Sequence, residues 1–239
     1  LGMFYRGRQV KDVENNYWSA VRLVAKLPTI VAAWARLRHG DDPIQPRDDL
    51  GFSENFLYML TESVAPSVWA DIFDDCLILH AEHTMNESTY TGLVTASTLA
   101  DPYTVVASSI GALKGPLHGG ANEEVVVMLR EIGTAEKARP YVERTLQNKK
   151  KLMGFGHRVY TVKDPRATVL QELCRRLFKE CGSSPLYEIA LEVETAAGTT
   201  LNSKGIYPNV DFYSGIIYDK MGIDVDLFTP LFAISRVSG

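Results

Sequence analysis

Apolar residues recur along this chain at intervals of three and four, the spacing of one helix face, and Gly or Pro marks nearly every break. Trp18, Val21, Val24 and Leu27 keep that spacing. Pro28 restarts the helix, and Ile30, Val31, Trp34 and Leu37 carry it on to Gly40. Residues 41–50 read as a polar loop holding two prolines, Pro43 and Pro46. Ser53 is suited to cap a short helix carrying Phe56, Leu57 and Leu60. From Ser67 the stripe Trp69, Ile72, Cys76, Leu79 and His83 predicts a long helix. Asp101 before Pro102 reads as an N-cap followed by a proline at the first helical position, opening a helix that ends at Gly115 and Pro116. Further helices are predicted over about 119–132, 135–148, 165–180, 185–202, 212–221 and 225–237. No segment alternates with a period of two for long, so the predicted class is all-α. There is no internal repeat and no low-complexity tract.

A chain of 239 residues is near the size at which one domain becomes two. The glycine turns around His118 and around Asp211 to Gly215 are candidate hinges, although the residues alone fit one helical domain equally well. Hydrophobic residues at 46% and charged residues at 23% suit a globular chain, and no apolar run reaches the length of a membrane span. The net charge of -4 argues against a nucleic-acid or anionic-membrane partner, while leaving room for a local basic pocket. Three cysteines (Cys76, Cys174, Cys181), odd in number and without a CxxC, point to a reducing, cytoplasmic setting.

Three short stretches then set one ionisable group each among glycines: GPLHGGANE at 115–123, GFGHRVY at 154–160 and PNVDFYSG at 208–215. Their groups are His118, His157 and Asp211. An aspartate can take a proton from carbon, and imidazoles can hold carbonyl oxygens on which charge develops, which is what carbon-acid chemistry at a carbonyl needs. His118 comes just before a predicted helix, whose positive end would favour a neutral imidazole. Glycines at 154 and 156 would let backbone approach a ligand beside His157.

Each group also has a plainer reading. His118 could cap a turn, Asp211 could be an N-cap, Arg166 a solvated first-turn residue, and Arg236 a cation complementing a helix C-terminus. His80 and His83, at i and i+3 with Glu82 and Glu87 near, could suggest zinc, but a third and fourth ligand are not evident and no metal site is expected. The lysines at 149–151 read as a solvated face or as an attraction for phosphates. No Walker or Rossmann pattern is present.

In this wording the three turns resemble the citrate synthase family. HAEHTMNEST at 80–89, FAISRVSG at 232–239 and YWSAVRLVAKLPTI at 17–30 extend the resemblance over nearly the whole chain, on the prokaryotic side that includes 2-methylcitrate synthases. The resemblance implies a large helical domain (1–118 and 217–239) carrying a smaller one (119–216), whose closure would expel water. It implies condensation of acetyl-CoA with oxaloacetate and hydrolysis of citryl-CoA, with propionyl-CoA or a non-catalytic binding role as alternatives. Asp211 would be the base, His118 the partner of the thioester carbonyl, and His157 the donor to the ketone. His83, Arg166 and Arg236 would grip carboxylates, with Asn86 in the same pocket, while His80 is structural. Gly154, Phe155, Gly156 and Lys204 would serve CoA. No permanently bound cofactor is implied. A homodimer or higher homo-oligomer is, with an interface drawn largely from 70–115. The resemblance further implies a fragment lacking both ends, including an arginine that the family takes from a partner subunit.

Overall fold

The computed structural model describes residues 1–2, 10–115, 118–157, 160 and 162–239. Among the described residues the fold is all-α, and the only extended pairing is an isolated antiparallel bridge between Phe155 and Pro208. No helix among them is long and apolar enough to cross a membrane. The chain divides into two compact units, one of residues 1–120 and 229–239, the other of 121–228. The second boundary therefore falls after the helix that carries Asp211, twelve residues beyond the 216/217 point expected from sequence.

The first unit holds α1 (Val13–Leu37), α2 (Phe52–Thr61), α3 (Ser67–Ala81), α4 (Glu87–Ala96) and α5 (Pro102–Leu113), with most of α11 (Phe228–Arg236). α1 is one continuous helix through Pro28, so the expected restart there is a proline accommodated inside a helix. Ser53 is not the cap of α2. Gly51 occupies that position, with its N–H taken by Glu54, while the Ser53 hydroxyl donates to Asp74 of α3 at 2.5 Å. Phe56 and Phe73 stack at 5.3 Å where α2 meets α3. Asp101 does cap α5, accepting from the N–H groups of Tyr103 and Thr104, with Pro102 in the first turn. α4 was not expected from the pattern. Its segment is rich in Ser, Thr and Gly and shows little apolar stripe, and it is held by packing on α5, where Gly92 lies over Ser109 and Thr95 meets Ser108 at 2.8 Å.

The second unit holds α6 (Ala121–Ile132), α7 (Ala138–Gln147), α8 (Pro165–Cys181), α9 (Pro185–Leu201) and α10 (Val210–Lys220). Short 3-10 turns precede α7, follow α9 and precede α11. α9 packs on α6 and α7. α10 runs between α6 and α8 and is buried on every side from Phe212 to Tyr218, as expected of a helix apolar around its circumference.

Candidate active site

The first unit brings His118 into a polar cluster. Its turn is fixed by backbone: the His118 N–H donates to the Gly115 carbonyl, and the Gly119 N–H to the Leu113 carbonyl at 2.8 Å. Gly119 approaches so closely that a Cβ would collide with Leu113, which makes glycine a requirement there. The His118 ring places Nε2 at 3.0 Å from the Ser88 hydroxyl and Nδ1 at 4.0 Å from the Glu87 carboxylate. Burial pushes the imidazole below its ordinary pKa; the Glu87 charge opposes this and the Arg236 charge adds to it. The neutral form expected from sequence is thus favoured, with burial as the leading cause.

Ser88 has one hydroxyl hydrogen and two partners, His118 Nε2 and Asn86 Oδ1 at 2.7 Å. Asn86 Oδ1 already receives the N–H groups of Ser88 and Thr89 as the cap of α4. The Ser88 hydrogen goes to Asn86 Oδ1 as well, because an amide oxygen cannot donate across that 2.7 Å contact. Asn86, which the family resemblance places in the carboxylate pocket, caps α4 and contacts Ser88.

His83 does not share a helix with His80. α3 ends at Ala81, Glu82 takes an extended conformation, and His83 lies in the reversal before α4. His80 is buried within α3, its Nδ1 at 2.7 Å from the Cys76 carbonyl. Arg236 is half-buried near the end of α11, and its Nε donates to the His80 carbonyl at 2.8 Å. Its guanidinium lies 4.6 Å above the Phe232 ring, whose other neighbours include His80 and His118 in edge-on contact. Phe232 thus touches three groups at once. Nothing in its spacing distinguished it from an ordinary core aromatic.

The second unit builds its part mainly from backbone. The Gly156 N–H donates to the Tyr207 carbonyl at 2.8 Å, and the Asn209 N–H to the Gly154 carbonyl at 2.9 Å. The Asn209 side chain closes the clamp on the Gly156 carbonyl and caps α10 by accepting the Asp211 N–H. Asp211 is therefore not a cap but a first-turn residue of α10, partly exposed behind its Asn209 cap. Gly154 has φ +75, and a Cβ there would lie 2.7 Å from Val125 and 2.9 Å from Phe212. The space left by this glycine is filled by protein, and the Phe155 ring is buried against Phe212 at 5.1 Å. The glycine turn braces His157 and Asp211 against one another's loops. Lys204 is exposed on the 3-10 turn after α9.

The Tyr160 N–H donates to His157 Nδ1 at 3.2 Å, which leaves the neutral ring's proton on Nε2. Arg166 is not a solvated first-turn residue. Its Nε and one terminal nitrogen grip Asp164, at 3.1 and 2.7 Å, and its side chain is only 14% exposed. Asp164 also caps α8. Burial would raise the Asp164 pKa, but the hydrogen bonds and charge of Arg166, with a smaller contribution from His157, hold it below the ordinary carboxylate value. Arg158 of the GFGHRVY stretch and Pro116 and Leu117 of the GPLHGGANE stretch lie outside the described residues. Among the described residues no cluster of three His, Cys, Asp or Glu side chains could hold a metal.

The chain matches, over residues 1–239, the family profile described as citrate synthase, C-terminal domain. It is 59% identical to a citrate synthase from Synechocystis over 239 residues, all of this chain and 60% of that protein. The citrate synthase of Pyrobaculum aerophilum superposes with a TM-score of 0.90 at 46% identity, over 95% of this chain and 56% of that one. The citrate synthase of Thermoplasma acidophilum, solved as a ternary complex with carboxymethyl coenzyme A and oxaloacetate, does so with a TM-score of 0.89 at 34% identity, over 95% and 61% of the two chains. The chain spans about 60% of the length of the curated relatives it matches.

Proposed function

The chain belongs to the citrate synthase family, and from that premise we propose that it carries the machinery for condensing acetyl-CoA with oxaloacetate. The observation that carries the proposal is the clamp in the second unit, which ties the loop before an Nε2–H imidazole to the loop that opens the helix of a partly exposed carboxylate.

Asp211 takes a proton from the methyl group of acetyl-CoA. The charge moves to the thioester oxygen, where His118 donates a hydrogen bond as a neutral imidazole, so that the enol(ate) forms without a full charge on the ring. The methylene carbon attacks the ketone carbon of oxaloacetate, and His157 supplies the donor at the ketone oxygen. Water then cleaves the thioester of citryl-CoA, releasing citrate and CoA. Arg166, Arg236 and His83 hold the carboxylates, a task suited to planar guanidinium forks. Asp164 and Phe232 orient the two arginines. Lys204 and the lysines at 149–151 attract the CoA phosphates. No resident cofactor enters any step.

The chain works as a homodimer in this reading. The support is the pair α4 and α5, which packs small residues together while Tyr90, Leu93 and Val94 of α4 and Leu99 of the connection between the two are exposed. A cytoplasmic setting suits these substrates and three cysteines that stand in no disulfide.

The test is release of free CoA thiol from acetyl-CoA with and without oxaloacetate, repeated with propionyl-CoA. Release that depends on oxaloacetate supports the proposal. Oxaloacetate binding without thiol release would favour a binding role, and preference for propionyl-CoA would favour methylcitrate synthesis.

A further inference from the structure

The reversal between α3 and α4 holds a conformation that its residue disfavours. Thr84 has φ +49, in the left-handed region that β-branched side chains rarely enter. Its side chain is exposed, so the conformation is not imposed by burial of the threonine itself. Non-glycine residues persist in such geometry where their surroundings over-determine it, and such positions cluster at ligand sites.

Here the surroundings are specific. The Thr84 N–H donates to the Glu82 carboxylate, and its carbonyl accepts from the Asn86 amide at 3.4 Å. Asn86 Oδ1 caps α4 and meets the Ser88 hydroxyl, and that hydroxyl contacts His118 Nε2. A continuous run of hydrogen bonds thus leads from the Thr84 backbone to one site histidine, while the other, His83, is its neighbour in the chain.

We infer that Thr84 is a positioning residue: its left-handed backbone directs His83 as the chain leaves α3 and sets where Ser88 meets His118. The inference rests on the proposed role of His83 toward oxaloacetate. It places the importance in the backbone rather than in the side chain. Asparagine tolerates the left-handed region, so Thr84→Asn keeps the turn and removes strain. Glycine enters that region without favouring it, so Thr84→Gly lets the chain leave it.

Thermal melts and calorimetric titrations of the full chain with oxaloacetate, and with CoA as control, test this. Thr84→Asn should melt about 2–4 °C higher, the shift that about 1 kcal/mol produces in a chain of this size. It should bind oxaloacetate within about twofold of wild type, since the competent conformer stays populated. Thr84→Gly should bind oxaloacetate about fivefold more weakly, as a competent conformer populated near one-fifth would give, with CoA affinity unchanged. Wild-type binding by Thr84→Gly, equal loss of both ligands, or a Thr84→Asn variant that melts no higher would each overturn the inference. A wild-type chain that does not bind oxaloacetate would overturn the proposed function, and the inference with it.

Discussion

The two units hold their candidate groups by different means. In 121–228, His157 follows one loop and Asp211, in the first turn of α10, follows another, and the two loops are tied by backbone hydrogen bonds between Gly154 to Gly156 and Tyr207 to Asn209. In the other unit, side chains surround two of the groups, with Ser88 and Glu87 on His118 and Phe232 under Arg236, while His83 lies beside a strained backbone reversal. A backbone clamp fixes position whatever the charge of the groups it carries. A side-chain cluster ties position to protonation, so the first unit should respond to pH and to single polar substitutions, and the second to changes in backbone shape.

The largest effect is expected at Asp211, the proposed base. Asp211→Asn keeps the shape and the cap but cannot accept a proton. Turnover should fall by about 10²–10⁴-fold, the usual range for a general base, with oxaloacetate affinity nearly unchanged in calorimetry. Near-normal turnover would remove Asp211 as the base.

Gly154→Ala is next, and it probes the clamp itself. The new methyl would meet Val125 and Phe212 well inside van der Waals contact, on a backbone at φ +75. Overpacking of this kind costs about 1–3 kcal/mol, to which the backbone strain adds. Chemical denaturation should show the loss. A variant as stable as wild type would mean that the clamp is looser than its hydrogen bonds suggest.

The smallest effect is the pH response of the first unit. Burial lowers the His118 pKa, Glu87 opposes and Arg236 assists. A folded value below the unfolded one makes the neutral ring the stabilised form. Its contribution is therefore complete above about pH 6.5, the ordinary histidine value, and is lost as pH falls through the folded value. An NMR titration of the ring should give a midpoint below about 6.5. Glu87→Gln removes the opposing charge and should move the midpoint lower still; an upward move would contradict the assignment.

The same contrast governs how much could be read from sequence. Glycines, prolines and caps advertise backbone requirements, so the clamp's loops and the start of α5 at Asp101 and Pro102 were legible. The cap of α10 was not, because Asn209 and Asp211 are both good cap residues and only the structure shows the first accepting from the second. His83 was placed on a helix because its spacing continues the stripe of α3, yet the helix stops at Ala81 and the chain reverses. α4 escaped notice because its helicity comes from packing on α5, not from a stripe of its own. The partners of the site groups were the least legible. Phe232 looks like any core aromatic, and the grip of Asp164 on Arg166 depends on a side-chain rotamer that no spacing rule encodes.

The central claim is that Arg166 and Arg236 have the proposed role of holding oxaloacetate. Arg166→Leu takes a guanidinium from the second unit and Arg236→Leu takes one from the first. Calorimetric titration with oxaloacetate and with CoA tests the claim directly. Each variant should lose about tenfold or more in oxaloacetate affinity, the scale of a charge-assisted hydrogen bond, and keep its CoA affinity. If either variant bound oxaloacetate as wild type does, or lost both ligands equally, the claim would be contradicted.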